Sequence, residues 1–146
     1  MKVYLDNCSF NRPFDSQAQL KVRLETEAKL FIQSKILSQE IQLVWSYMLE
    51  YENNFNPFTE RKEVILEWRS LATEIIIETN QVLVNAKKLL TIGLKSKDAI
   101  HVACAMEAKC DYFITTDAGI SRKLINFEHI KVINPIQFIS IWEEER

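Results

Sequence analysis

The chain has 146 residues, of which 47% are hydrophobic and 26% are charged, and this size and balance are ordinary for one globular domain. Eighteen basic and twenty acidic side chains give a formal net charge of −2. This charge excludes a global positive field that would draw the protein to nucleic acid, so any nucleic-acid site must be local.

Three cysteines, Cys8, Cys104 and Cys110, form no C-x-x-C pair, and their odd number argues against a closed disulfide framework. We expect them to be small core residues in a reducing cytoplasm. The apolar stretch of the amino terminus is too short for a signal peptide, and no run of about 18 apolar residues occurs. A soluble, cytoplasmic protein without a membrane anchor is therefore expected.

The first half of the chain alternates short apolar runs with helical patterns. "KVYL" reads as a buried strand, and apolar residues at helical spacing predict a long helix over 18–37. "IQLVW" is a second strand, after which Ser46 can cap a helix over 47–54. A further amphipathic helix is predicted over 59–72, with Thr59 as its cap.

The second half continues the alternation. In chain order we predict a strand "EIIIE", a helix "QVLVNAKKLLTI" ending at Gly93, an apolar helix "KDAIHVACAMEAK", a strand "YFITT", a short helix "SRKLIN", a strand "KVI" and a helix opened by Pro135. Such alternation predicts a mostly parallel sheet covered on both faces, a three-layer α/β/α fold. A single domain over 1–146 is expected.

Acidic residues stand where two of the predicted strands end. Asp6 ends the first strand and Asp117 follows "YFITT", so both carboxylates emerge at one edge if these strands are parallel neighbours. Asp98 opens the apolar helix, where its charge suits the helix N-terminus and could face the same edge. Three acids are therefore expected to converge.

A cluster of carboxylates needs a cation or shared protons, because two like charges about 4 Å apart repel by roughly 4 kcal/mol at an effective dielectric of 20. Ligands that are all oxygen favour Mg²⁺ or Mn²⁺ over zinc. His101 and His129 are too far apart in sequence to form a ligand pair of the zinc type. On so apolar a helix, His101 reads as a core histidine.

Three stretches, "YLDNCSFNRPFD", "SKDAIHVACAMEAKCDYFITTD" and "KVINPIQFI", together resemble the PIN-domain family over essentially the whole chain. By this resemblance Asp6, Asp98 and Asp117 match the acids of the first, third and fourth motifs. The second motif is a glutamate on the helix after the second strand, for which Glu50 and Glu52 are both available. The family's spacing from a small polar residue, here Ser46, favours Glu52.

The resemblance also has departures and further implications. Asn7 and Cys8 follow the first aspartate, where a Thr-Asn or Ser-Asn pair is usual. Thr115 stands where the family has a hydroxyl, which implies a supporting hydrogen bond. We predict "NCSFNRP" to be a loop lining the site and Arg12 to contact phosphate. Asp111, at the opposite end of its strand from Asp117, is expected to be a turn residue.

PIN domains are metal-dependent nucleases, and the resemblance implies hydrolysis of single-stranded RNA with Mg²⁺ or Mn²⁺ held by Asp6, Glu52, Asp98 and Asp117. The resemblance further implies that the protein is the toxin of a toxin–antitoxin pair and that an antitoxin is its protein partner. It also allows the chain to form a homodimer. The alternative is a PIN-like module that binds RNA or protein without cutting. A phosphatase or phosphoacceptor domain is disfavoured, because "LDNCS" lacks a second acid close after the first.

Overall fold

The structure, a computed structural model, describes residues 1–145. Its strands are β1 Lys2–Leu5, β2 Gln42–Ser46, β3 Glu74–Ile76, β4 Tyr112–Ile114 and β5 Lys131–Ile133. Its α-helices are α1 Asn7–Asn11, α2 Leu20–Leu37, α3 Tyr47–Asn54, α4 Thr59–Leu71, α5 Asn80–Thr91, α6 Ser96–Glu107, α7 Ala118–Lys123 and α8 Pro135–Glu144, and a 3₁₀ turn covers Arg12–Phe14.

All five strands form one parallel sheet in the order β3-β2-β1-β4-β5. The predicted α/β class with a central parallel sheet and helices on both faces is confirmed. The central strand β1 pairs with β2 on one side and with β4 on the other, and Leu5 is in register with Ile114. The residues that follow β1 and β4 therefore emerge side by side at the carboxyl edge of the sheet.

The hydrophobic core encloses the central strands from both faces. Val3, Tyr4 and Leu5 of β1 are fully buried, as expected for a parallel strand covered on two sides. Phe10 and Trp45 meet edge to face at a centroid distance of 5.6 Å, which joins the short helix α1 to β2. The core thus holds the segment that follows Asp6 through the buried ring of Phe10.

The predicted loop after Asp6 is wrong in its first part, because residues 7–11 form helix α1. Asp6 is its N-cap, and its side chain accepts a hydrogen bond from the backbone N–H of Ser9. Phe10, fully buried, anchors the helix to the core. A short capped helix with one buried aromatic residue leaves no periodic pattern in the sequence. The sequence therefore predicted only the turn at Pro13.

The other elements agree with the prediction apart from their limits. Ser46 caps α3 through the backbone N–H of Leu49, as predicted. Thr59 is the first residue of α4 rather than its cap, which is Phe58. Gly93 follows α5 with a φ of 104°, a conformation that side chains with a Cβ rarely adopt.

Cysteine burial differs from the prediction at one position. Cys104 and Cys110 are buried, as expected of small core residues, whereas Cys8 is exposed. The reason is the helix α1, which carries residue 8 on its outer side and Phe10 on its inner side. Within residues 1–145, no helix combines the length and the apolar composition needed to cross a bilayer.

One cation lies deep among apolar groups. Lys29 of α2 is only 3% exposed, and its ammonium group lies over the rings of Phe10 and Trp68, at 5.3 and 5.9 Å from their centroids. It lines a cavity of about 280 Å³ between α2 and α4. Burial lowers the pKa of Lys29 to about 7, since a charged amine loses its hydration there.

Candidate active site at the carboxyl edge of the sheet

Asp6 is the most buried acid of the site, with 3% of its surface exposed. Its Oδ1 accepts from the backbone N–H of Ser9 at 3.0 Å, and its Oδ2 accepts from the hydroxyl of Thr115 at 2.5 Å. Burial nevertheless raises the pKa of Asp6, because these hydrogen bonds only partly replace water. The carboxylate is held in place by donors, and no cation among residues 1–145 forms an ion pair with it.

Thr115 connects Asp6 to Asp117. Its hydroxyl donates to Asp6 and accepts from the backbone N–H of Asp117 at 3.0 Å. The Asp117 side chain caps α7 by accepting from the N–H groups of Gly119 and Ile120 at 2.8 and 3.3 Å. The structure therefore brings together the two acids that the parallel arrangement of β1 and β4 predicted at one edge.

Glu52 faces this edge from α3. Its Oε1 makes a hydrogen bond with Nε2 of His101, and its Oε2 accepts from the side-chain amide of Asn7 at 3.4 Å. Glu50, the alternative acid, points elsewhere: it accepts from Nε1 of Trp45 at 3.0 Å and pairs with Arg69 at 2.9 Å. Of the two glutamates, the structure directs Glu52 toward the carboxylate edge.

A chain of buried hydrogen bonds stands behind Glu52. The Tyr4 hydroxyl lies 2.5 Å from Oγ of Ser46 and 2.5 Å from Nδ1 of His101. All three residues are at most 2% exposed. Burial raises the pKa of Tyr4 well above its usual range, so the hydroxyl keeps its proton.

The order of donation along this chain follows from counting protons. An ionised carboxylate only accepts, so Nε2 of His101 donates to Glu52. Nδ1 accepts from Tyr4 when the imidazole is neutral, and Ser46 then donates to Tyr4, whereas a protonated imidazole donates through both nitrogens and the order along the chain reverses. His101 is a core histidine, as predicted, and it also orients the Glu52 carboxylate.

Asp98 lies in the first turn of α6, three residues after its cap Lys95. It is half-buried. Its pKa is raised by burial first and then by the charge of Asp117, with a smaller contribution from Glu52, while His101 and Lys95 act in the opposite direction. These mutual effects mean that the acids of α3, α6 and the β4 end lie within electrostatic reach of one another.

The thiol of Cys8 lies within electrostatic reach of all four predicted acids. Although the residue is exposed, desolvation of its thiol and the negative charges of the acids raise its pKa to about 12. The charges that contribute belong to Asp6, Asp117, Asp98 and Glu52. At neutral pH the thiol therefore stays protonated and is a poor nucleophile.

The chemistry of these donors suits a hard divalent cation. Four carboxylates approach one edge, two of them with a raised pKa, and oxygen ligands are those that Mg²⁺ and Mn²⁺ prefer. Within residues 1–145, however, no three Asp, Glu, His or Cys side chains are already grouped closely enough to hold a metal ion. The donor set fits by its chemistry, but it is not a preformed cage.

Arg12 is engaged away from the acids. Its Nη1 donates to Asp15 at 3.1 Å, and its Nε lies 3.4 Å from the buried carboxylate of Glu25. The guanidinium group is thus paired with the start of α2, and the predicted contact with phosphate would require it to leave two acidic partners. Asp111 accepts from the backbone N–H of Lys2 at 2.8 Å, at the opposite edge from Asp117, as predicted.

The hydrogen-bond roles of three polar residues of the site were not foreseen from the sequence. Tyr4 read as one more apolar strand residue, Ser46 as a helix cap and as the reference for the spacing to Glu52, and Asn7 only as a departure from the expected pattern. Their roles depend on contacts across 42 to 97 positions of the chain. The alternation of faces along β1 could have drawn attention to Tyr4, because its hydroxyl needs a partner inside a fully buried strand.

Comparison with known proteins adds no family to this picture. No protein-family model matches the chain, and no curated protein matches it. An argument about function therefore starts from the geometry of the carboxylate edge.

Proposed function

We propose that this protein is a PIN-like endoribonuclease that hydrolyses single-stranded RNA with the aid of Mg²⁺ or Mn²⁺. The observation that supports the proposal best is geometric: one hydroxyl, that of Thr115, links Asp6 to Asp117, and Glu52 accepts from Asn7, the residue that follows Asp6. Carboxylates so arranged repel one another, and a divalent cation would remove that repulsion.

Asp6, Glu52, Asp98 and Asp117 would hold the cation. When bound, the cation neutralises charge on the phosphate and lowers the pKa of a water molecule that attacks it. The residues of the chain itself prepare the site. Thr115 and the N–H of Ser9 fix the Asp6 carboxylate, and each of its oxygens keeps further lone pairs for a ligand.

The chain offers water, rather than a side chain, as the attacking group. Cys8 is the nucleophilic side chain nearest in sequence to Asp6, and its pKa of about 12 keeps the thiol protonated. Ser9 is fully buried and donates its hydroxyl proton to the carbonyl of Ile114 at 3.0 Å. Hydrolysis without a covalent intermediate on the protein is therefore the reaction that these residues favour.

In its finer form the proposal is that the protein is the toxin of a toxin–antitoxin pair, acting in the cytoplasm and restrained by an antitoxin, with a homodimer as its assembly. This part rests on the resemblance of the motifs alone. A small reading frame next to its gene that encodes a DNA-binding partner would support it, and an isolated gene would contradict it.

The direct test is cleavage of a labelled single-stranded RNA by purified protein with Mg²⁺ or Mn²⁺. We expect EDTA to abolish cleavage. We also expect Asp98→Asn to abolish it, because the variant replaces one negatively charged carboxylate of the site by a neutral amide. Cleavage that survives EDTA would overturn the metal-dependent reaction. Cleavage that Asp98→Asn leaves unchanged would overturn the assignment of the site.

One observation favours the alternative, a PIN-like module that binds RNA or protein without cutting. Within the described part of the chain, no three potential ligands are preassembled for a metal ion. A module of this kind would gain no thermal stability from Mn²⁺, whereas the nuclease would, since a cation bound only by the folded state stabilises it.

A further inference from the structure

Four aromatic side chains are exposed next to the carboxylate edge. Phe55 is 71% exposed, Phe58 56%, Tyr51 48% and Phe14 38%, and we call these four residues the aromatic surface. They come from the end of α3, the start of α4 and the 3₁₀ turn after α1. Exposure of this many large rings in one region indicates that the surface binds something.

Cations lie on these rings. The guanidinium carbon of Arg61 is 4.2 Å from the ring centroid of Phe58 and 5.2 Å from that of Phe14, and Nζ of Lys97 is 5.7 Å from the ring of Tyr51. No carboxylate of residues 1–145 forms an ion pair with either cation. Nη2 of Arg61 donates to the backbone carbonyl of Phe14 at 3.1 Å, but this partner is neutral, so the positive charge is not cancelled and can still attract an external anion.

The aromatic surface continues into the proposed active site. Tyr51 directly precedes Glu52, and Lys97, which lies over Tyr51, directly precedes Asp98. Two of the four acids are thus sequence neighbours of a ring and a cation that contact each other. A ligand bound on this pair would extend toward the carboxylates.

A row of asparagine side chains makes a second connection. The amide of Asn56 donates to Asn11 at 3.4 Å, the amide of Asn11 donates to Asn7 at 3.1 Å, and the amide of Asn7 donates to Glu52 at 3.4 Å. Asn56 stands between Phe55 and Phe58 in the sequence. Side-chain amides can hydrogen-bond to the edges of unpaired bases, so this row suits the same ligand as the rings.

We propose that the aromatic surface, with Arg61 and Lys97, is a stacking platform that binds the bases of single-stranded RNA and leads the strand to the carboxylates. Rings interleaved with cations that have no acidic partner among residues 1–145 match a chain of alternating bases and phosphates. The platform also supplies local positive charge, which a protein with a net charge of −2 and an acidic site needs near its substrate. The proposal rests on the proposed function for the direction of the strand.

The test measures binding without cleavage. A fluorescein-labelled oligouridine of 12 nucleotides is titrated with the protein in EDTA, and fluorescence anisotropy gives the dissociation constant. Phe55→Leu keeps an apolar side chain but removes the stacking ring, and we expect it to weaken binding about 5- to 100-fold. The matched control is Leu37→Ala, at a side chain 60% exposed at the end of α2.

The charge on the platform is tested separately. Arg61→Gln is expected to weaken binding and to flatten its dependence on salt, because one phosphate contact is lost. Lys87→Gln, on an exposed lysine of α5, is the control and should leave both unchanged. All of these side chains lie at the surface, and circular dichroism would confirm that each variant folds as the wild type does.

Two results would overturn the platform. The first is an affinity for RNA that Phe55→Leu and Arg61→Gln leave unchanged, which would refute it even if cleavage proceeds normally. The second is a wild-type dimer that Phe55→Asp converts to a monomer with the same RNA affinity, because the surface would then bind a second copy of the chain. Ring-dependent binding by a protein that never cleaves RNA would support the platform while refuting the proposed function.

Discussion

At the amino end of β1, the ammonium group of Lys2 lies 3.0 Å from Glu74 and donates to the carbonyl of Ala108 at 2.9 Å, while its backbone N–H donates to Asp111. At the carboxyl end of the same strand, acids lie near other acids. Burial and mutual repulsion raise the pKa of Asp98 there. One strand thus joins a region where charges are compensated to a region where like charges are kept together.

The difference indicates that the carboxylate edge is not stabilised by its own charges. Ion pairs like that of Lys2 arise wherever opposite charges can meet at a surface, and each contributes little. A cluster of like charges persists only when the surrounding structure holds it, as Thr115 and the capped helix α1 hold Asp6. Such arrangements occur most often at functional sites.

The largest expected difference between the two edges is in catalysis. Asp117→Asn should lower RNA cleavage by at least about 100-fold. Loss of a residue that only supports a metal ligand costs up to about 100-fold, and loss of a ligand itself should cost no less. Asp111→Asn makes the same chemical change six residues earlier, at the other end of β4, and should leave cleavage within about twofold. Rates of a single-turnover assay measure both, and an equal loss in the two variants would remove the functional contrast between the edges.

Lys29 is the opposite case to the acids, a buried cation that pairs with no carboxylate of residues 1–145. Its pKa of about 7 lies below the 10.5 of an unfolded chain, so between these values the unfolded state binds more protons. Stability should therefore rise with pH from about 7 to about 10, by up to roughly 1.4 kcal/mol per unit.

Lys29→Met should remove this pH dependence and raise the free energy of unfolding at pH 7, because a thioether suits the cavity and carries no charge to desolvate. Urea unfolding between pH 6 and pH 10 measures the effect. Lys21→Met, on an exposed lysine of the same helix, should keep the slope. If the free energy of unfolding of Lys29→Met still rises with pH as in the wild type, Lys29 is not the source of the pH dependence.

Repulsion at the carboxyl edge predicts a smaller effect on stability. The folded-state pKa of Asp98 is raised above its unfolded value, so the acid contributes full stability only below pH 4 and loses it as pH rises through the folded pKa. Asp98→Asn should therefore melt a few degrees above the wild type at pH 7 and without metal, and at the same temperature near pH 3.

Mn²⁺ should reverse that order. The cation stabilises the wild type by about 2.7 kcal/mol when its concentration is a hundred times the dissociation constant, whereas Asp98→Asn should respond much less. Differential scanning fluorimetry with and without Mn²⁺ gives both comparisons. Equal shifts in the two proteins would mean that the cation binds elsewhere.

The smallest effect belongs to the amino edge. Lys2→Met should lower the free energy of unfolding by no more than about 1 kcal/mol, since its ion pair with Glu74 is partly exposed. Raising the salt concentration should shrink the loss, because salt screens such pairs. A loss of several kcal/mol would show that the two edges depend on charge alike.

Sequence reasoning succeeded where a local pattern determines the result. The alternation of strands and helices predicted the parallel sheet, and the sheet in turn put Asp6 and Asp117 at one edge. It could not choose securely between Glu50 and Glu52, because the choice depends on Arg69 and His101, which are distant in the chain. The phosphate contact of Arg12 stays a prediction, whereas its ion pair with Glu25 could not be foreseen, because no spacing reveals how α2 docks.

The hydrogen-bond chain through Tyr4 starts and ends on α3 and links this helix to β1 and α6. It begins at the backbone N–H of Leu49, passes through Ser46, Tyr4 and His101, and returns to Glu52 on the same helix. The amide proton of Leu49 is protected from solvent exchange by its hydrogen bond to Ser46 and by burial, and we expect its exchange to quicken when the chain from β1 through α6 is broken. Its exchange rate is a single-residue measure of whether Glu52 is held in position, and it can be followed in a protein that has neither substrate nor metal bound.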